Sequence, residues 1–142
     1  MIAMGSDHAG YEMKLALGRH LEEKGYEISD YGCHSTESCD YPEFAKAVAK
    51  AVAEGKAEMG VLICGTGIGM SMAANKVPGI RAAVVTEDFS AAATRQHNDA
   101  NILCLGARVL SLEKATELLD IFLETPFSHG ENHKRRISKL EQ

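Results

Sequence analysis

The sequence alternates short apolar runs with helix-patterned stretches, and does so five times over. No other feature limits the possible folds so strongly. Ile2–Met4, Tyr26–Tyr31, Met59–Cys64, Ala82–Val85 and Ile102–Leu105 read as strands. Met13, Leu17 and Leu21 recur at four-residue spacing, the stripe of an amphipathic helix that Gly25 stops after Lys24. Pro42 suits a first helical position, and the alanine-rich stretch to Glu54 has high helix propensity before Gly55. Ile68–Lys76 reads as a short helix followed by a Pro78-Gly79 turn. Asp88 is placed to cap a helix reaching about Gln96. Leu112–Leu123 is amphipathic and Pro126 follows its end. The residues from about 131 to 141 read as a basic helix. This alternation predicts an α/β fold, a doubly wound parallel sheet covered by helices on both faces.

A chain of 142 residues matches one domain, spanning 1–142, with enough buried surface to fold without disulfides or metals. Its 45% apolar and 25% charged residues are those of a soluble globular protein. No apolar run approaches the ~18 residues of a membrane span. The first residues lack a basic stretch leading into a long apolar one, so no secretion is expected. Cys33, Cys39, Cys64 and Cys104 form no Cys-x-x-Cys pair, which argues against a zinc ribbon or thioredoxin-like site. A reduced, cytoplasmic protein is the expectation. The net charge of −5 opposes nucleic-acid binding, but it is uneven. Residues 131–142 carry a local +2 and the rest −7. A basic end on an acidic body fits a solvated helix end, a local anion site or an intersubunit contact.

Ligands of doubly wound sheets bind beyond the carboxyl ends of the strands. That rule selects Ser6-Asp7-His8, Cys64–Gly69 and Gly106-Ala107-Arg108. The run Cys64-Gly65-Thr66-Gly67-Ile68-Gly69 lets backbone N–H groups approach an anion, with a helix start behind them. It lacks the third glycine of a dinucleotide fingerprint and the Gly-Lys-Ser/Thr of a nucleotide-phosphate loop. The position where a thiol phosphatase needs arginine is Met70. A cysteine is often a small buried hydrophobe. At a helix amino end, however, the thiolate is favoured, and Cys64 becomes a candidate general base. Cys104 reads as core, and Cys33 and Cys39 as loop thiols. Asp7 either caps the helix starting near Gly10 or binds a hydroxyl in the crevice, with His8 beside it for an anion. His97 is either a structural histidine at a helix end or a proton-transfer group. Asn98 next to it is a candidate oxyanion donor, and Arg108 and Arg136 suit a phosphate. No His-x-x-x-His or carboxylate comb marks a metal site, so no metal or cofactor is expected.

Taken together, Ser6-Asp7-His8-Ala9-Gly10, Asp40-Tyr41-Pro42, Ile63–Gly69, Ala73-Ala74-Asn75-Lys76, Gly79-Ile80-Arg81-Ala82, Arg95-Gln96-His97-Asn98 and Gly106-Ala107-Arg108-Val109 resemble the type B ribose-5-phosphate isomerases and the related galactose-6-phosphate isomerase subunits. The resemblance runs in order from residue 6 to residue 136. It implies a Rossmann-like three-layer α/β/α sandwich with a five-stranded parallel sheet, acting as a homodimer or a dimer of dimers. It also implies interconversion of an aldose phosphate and a ketose phosphate without cofactor. Cys64 would then move a proton between C1 and C2, while amides of Gly65, Thr66, Gly67, Ile68 and Gly69, with Asn98, hold the enediolate. His97, with Thr66 and Asp7, would open the sugar ring. His8, Arg108 and Arg136 would hold the phosphate. His97, Asn98 and Arg108 would come from the partner chain. One position departs from the pattern: Asn132, in Asn132-His133-Lys134-Arg135-Arg136, stands where relatives commonly carry arginine. Weaker phosphate binding, compensation by Lys134 or Arg135, or a different sugar length would follow. Five-carbon and six-carbon sugar phosphates therefore both remain open as substrates. A silent sugar-phosphate binding module is disfavoured, because binding alone needs no carbon base.

Overall fold

A computed structural model describes residues 1–142. The strands are β1 (Ile2–Ser6), β2 (Ile28–Asp30), β3 (Met59–Cys64), β4 (Ala82–Val84) and β5 (Ile102–Gly106). The helices are α1 (Tyr11–Glu23), α2 (Tyr41–Ala53), α3 (Ile68–Ala74), α4 (Asp88–Asn98), α5 (Leu112–Glu124) and α6 (Glu131–Leu140). All strand pairs are parallel and the sheet order is β2-β1-β3-β5-β4. The chain steps from β1 to β2 in one direction and returns past β1 to β3. That reversal opens a crevice between the carboxyl ends of β1 and β3. No helix is long and apolar enough to cross a membrane.

The two-residue strand period divides the core into two faces. Ile2, Met4, Val61, Ile63, Leu103 and Leu105 pack with α1, α4 and α5 through Leu17, Leu21, Ala91, Leu118 and Phe122. Ala3, Leu62, Cys64, Ile102 and Cys104 point the other way, onto Ala45, Val48, Ala49, Met70 and Ala74 of α2 and α3. The three layers are thus those the alternation predicts. Cys64 ends its strand on the α2/α3 face, with Cys104 close by on the neighbouring strand.

Several boundaries differ from the sequence reading, each for a local reason. β1 runs on through Ser6, because Ser6 pairs with Ile63 of β3. β2 is only Ile28–Asp30, since the Tyr26 amide still bonds to Leu21 O at the end of α1. Asp88 is not the cap of α4. Glu87 is, its carboxylate accepting from the Ser90 hydroxyl and from the Ser90 amide at 2.9 Å, and these bonds, the hydroxyl's first, lower its pKa. α4 continues to Asn98 and ends on Asp99 in a left-handed conformation at φ 45°.

Candidate functional site

The loop leaving β3 folds back over its own sulfur. The Gly67 amide donates to Cys64 Sγ at 3.1 Å, and Thr66 Oγ1 accepts from the Ile68 amide at 3.2 Å. The amides of Gly65, Thr66 and Gly69 have no protein acceptor and remain available as donors in the loop that follows Cys64, itself 5% exposed. A donor aimed at sulfur, ringed by further donors, complements negative charge on the thiolate and on an oxygen beside it. The loop is laid against β5 by two glycines. Gly67 has φ +82°, and a Cβ on Gly106 would sit 2.7 Å from the Thr66 carbonyl carbon. Thr66 and Ile68 stay exposed at the rim.

Asp7, His8 and Arg108 surround this cradle. Asp7 is 7% exposed and its amide bonds to Ile63 O at 3.2 Å, fixing it beside the last turn of β3. Its Oδ1 accepts from the Gly10 amide at 3.1 Å, which closes the turn before α1 rather than capping the helix. His8 Nδ1 accepts from the Cys39 amide at 3.2 Å. Arg108 overturns one expectation. Its amide bonds to Gly65 O at 2.9 Å and its side chain overlies Gly65 of the same chain, so no partner is needed to bring it there. The sequence reading also missed Tyr41, whose ring packs on Gly69. The signal was its place just before Pro42, at the start of a helix pointing back at the loop.

His97, Asn98 and Arg136 form a second group elsewhere. α4 ends three residues before β5 begins, whereas Cys64 pairs with Gly106 where β5 ends. The two groups are separated by roughly the length of β5, on the order of 13 Å. The His97 ring stacks on His133 of α6 with centroids 4.5 Å apart and planes 14° from parallel. Partial burial, together with the neighbouring His97 and Arg136, lowers the His133 pKa from its ordinary value. Two arginines hold the end of α4. Arg81 donates to Asn98 O at 2.9 Å and Asp99 O at 2.8 Å. Arg95, 7% exposed, donates to Ala100 O at 2.6 Å and Thr125 O at 3.1 Å. These guanidinium groups satisfy carbonyls that a helix end leaves open. A cavity of 620 Å³ adjoins this end, lined by Asn98, Arg81 and Leu140 among others, and does not reach Cys64.

The single chain therefore brings together Asp7, His8, Cys64, Gly65, Thr66, Gly67, Ile68, Gly69 and Arg108. It leaves His97, Asn98 and Arg136 at the opposite, amino end of the strands. The ensemble defines an α/β protein with a thiol at the head of a glycine loop whose amides lack protein acceptors, and an arginine laid over that loop. Comparison with known proteins gives the family. Residues 2–140 match the family Ribose/Galactose Isomerase, and the chain belongs to it. It is 47% identical to ribose-5-phosphate isomerase B of Escherichia coli, over 99% of this chain and 96% of the relative. A structure of Clostridium thermocellum ribose-5-phosphate isomerase B superimposes with a TM-score of 0.97 at 49% identity, covering 99% of this chain and 94% of the other. The Mycoplasma genitalium ribose-5-phosphate isomerase B, solved with bound ribulose-5-phosphate, gives 0.94 at 41%, covering 99% and 93%.

Proposed function

We propose that this chain interconverts D-ribose 5-phosphate and D-ribulose 5-phosphate through a cis-enediolate, as a homodimer with composite sites. Its similarity to ribose-5-phosphate isomerases B over nearly the full length supports the substrate. The observation that carries the chemistry is the Cys64 sulfur at the Gly67 amide, with free donors beside it. The separation of His97 and Asn98 from that sulfur supports the dimer, because one chain cannot unite the two halves.

In this reading the partner's His97, with Thr66 and Asp7, opens the furanose by moving the O1 proton to the ring oxygen. The Cys64 thiolate then takes the proton from C2, and the electron pair moves onto O1 as the cis-enediolate forms. Amides of the Gly65–Gly69 loop and the partner's Asn98 hold the negative oxygen. The O2 proton passes to O1, and the Cys64 thiol returns its proton to C1, leaving the ketose and a thiolate. His8, Arg108 and the partner's Arg136 anchor the phosphate, and that remote binding positions the reacting carbons.

The test is solvent deuterium incorporation at C2 of ribose 5-phosphate. Cys64→Ala should abolish exchange while the protein still binds inorganic phosphate; undiminished exchange removes Cys64 as the base. A panel of five- and six-carbon sugar phosphates, compared by kcat/KM, decides the sugar. Preference for a hexose 6-phosphate would keep the reaction type and replace the substrate.

A further inference from the structure

We propose that Cys33 and Cys39 form an oxidisable dithiol whose closure to a disulfide withdraws His8 from phosphate binding. The effect of the disulfide on phosphate rests on the function proposed above. Cys33, in the loop after β2, lies beside the end of β1, where its amide donates to Ser6 O at 2.8 Å, and its thiol donates to Ser35 O at 3.2 Å. Its sulfur is 3.8 Å from Ser6 Oγ. The Cys39 sulfur is 3.9 Å from His8 Nδ1, two residues further along the same backbone. The two thiols so flank one short stretch of chain, Ser6 to His8, and the presence of Cys33 contributes to raising the Cys39 pKa, after burial. The buried Lys14 ammonium holds the loop in place, bonding Asp30 Oδ1 at 2.7 Å and the Cys33 carbonyl. Five residues separate the cysteines, enough chain for the loop to close.

Cys39 is half-buried and Cys33 buried, so an oxidant meets Cys39 first. With hydrogen peroxide, the Cys39 thiolate attacks one oxygen, the O–O bond breaks, and a sulfenic acid and hydroxide result. The Cys33 thiolate then attacks the Cys39 sulfur, forming the S–S bond and releasing hydroxide. Two protons leave the thiols, the protein is oxidised by two electrons, and peroxide is reduced to water. Burial raises the Cys39 pKa, so this oxidation is gradual. Cys104 takes no part, being enclosed within the sheet.

The consequence runs through the ring. An amide donating to Nδ1 requires that nitrogen to be unprotonated, which leaves a proton on Nε2 to donate to an anion. Drawing Cys39 toward Cys33 takes its amide off Nδ1, and both the tautomer and the ring orientation are released.

The experiment oxidises the intact protein with hydrogen peroxide, alkylates free thiols, and maps the peptides by mass spectrometry. Kinetics with ribose 5-phosphate and the affinity for inorganic phosphate are measured in parallel. The expected result is a Cys33–Cys39 linked peptide, a KM raised about tenfold at little-changed kcat, and recovery with dithiothreitol. Phosphate affinity should fall in step. Cys33→Ser, or Cys33→Ala if serine does not fold there, should keep its KM under the same treatment. Oxidation of Cys64 would instead lower kcat, so the two events separate. Absence of the linked peptide while Cys64 is already oxidised overturns the dithiol. A linked protein with unchanged KM and phosphate affinity overturns the coupling to His8. The peptide map and the phosphate titration need no turnover, so they decide the matter even if the chain fails to isomerise ribose 5-phosphate.

Discussion

At the scale of single residues, the site depends on side chains that are absent as much as on those present. Gly106 has room for no Cβ, because the Thr66 backbone lies against it. Gly106→Ala should push the amide loop off β5 by a fraction of an ångström or more. Misplacement on that scale is expected to lower kcat about a hundredfold, with a smaller change in stability. Steady-state kinetics beside thermal unfolding would check it; an unchanged kcat would mean the loop position does not matter. Asn132 makes the opposite case. It lies one helical turn before Arg136 on the same exposed face of α6, where a guanidinium fork would add to the phosphate grip. Lys134 pairs with Glu131 at 3.6 Å, an exposed contact weak enough for a phosphate to displace. Asn132→Arg should lower KM for ribose 5-phosphate about tenfold. No change would place residue 132 out of reach of the phosphate.

Among the elements, α6 is the one least embedded: none of its residues is buried. It is held by the His97–His133 stack on α4 and, at its C-cap, by the Arg81–Glu141 ion pair at 2.7 Å. The His133 pKa lies below its ordinary value, so the fold favours the neutral ring. The stability it contributes is present above the ordinary imidazole range and is lost as the pH falls through the depressed value. Hydrogen exchange in α6, corrected for the intrinsic rate, should therefore accelerate between about pH 7 and about pH 5, while β3 stays protected. His133→Phe should retain stacking and flatten that response. Equal acceleration in the variant would assign the effect to other groups. The periodicity that revealed α1 and α5 could not show this weak docking, because the final helix is mostly charged and polar and writes no apolar stripe.

For the whole molecule, the decisive fact is that the two residue groups lie at opposite ends of the parallel strands, Cys64 at the carboxyl end and His97 near the amino end. If two chains exchange halves, inactive variants should rescue one another. Cys64→Ala and His97→Ala proteins, unfolded and refolded together in equal amounts, would form heterodimers holding one intact site and one doubly defective one. Random assortment should then restore about a quarter of the normal activity. Activity no greater than the sum of the separate variants would mean that the halves meet within one chain.

Much of this was legible without coordinates. Periods of two and of nearly four residues follow from backbone geometry alone, so the apolar pattern sets strands, helices and layers. The Cys64–Gly69 run announces an anion cradle because only glycine lets several amides crowd one point. Neighbours far apart in the chain were decided by tertiary structure. Packing set Arg108 over Gly65, Tyr41 on Gly69 and Cys39 against His8, since no local pattern encodes contacts between separate loops. Packing also parted His97 from Cys64: a helix running antiparallel to its strands must deliver its last residues to the edge where the next strand begins.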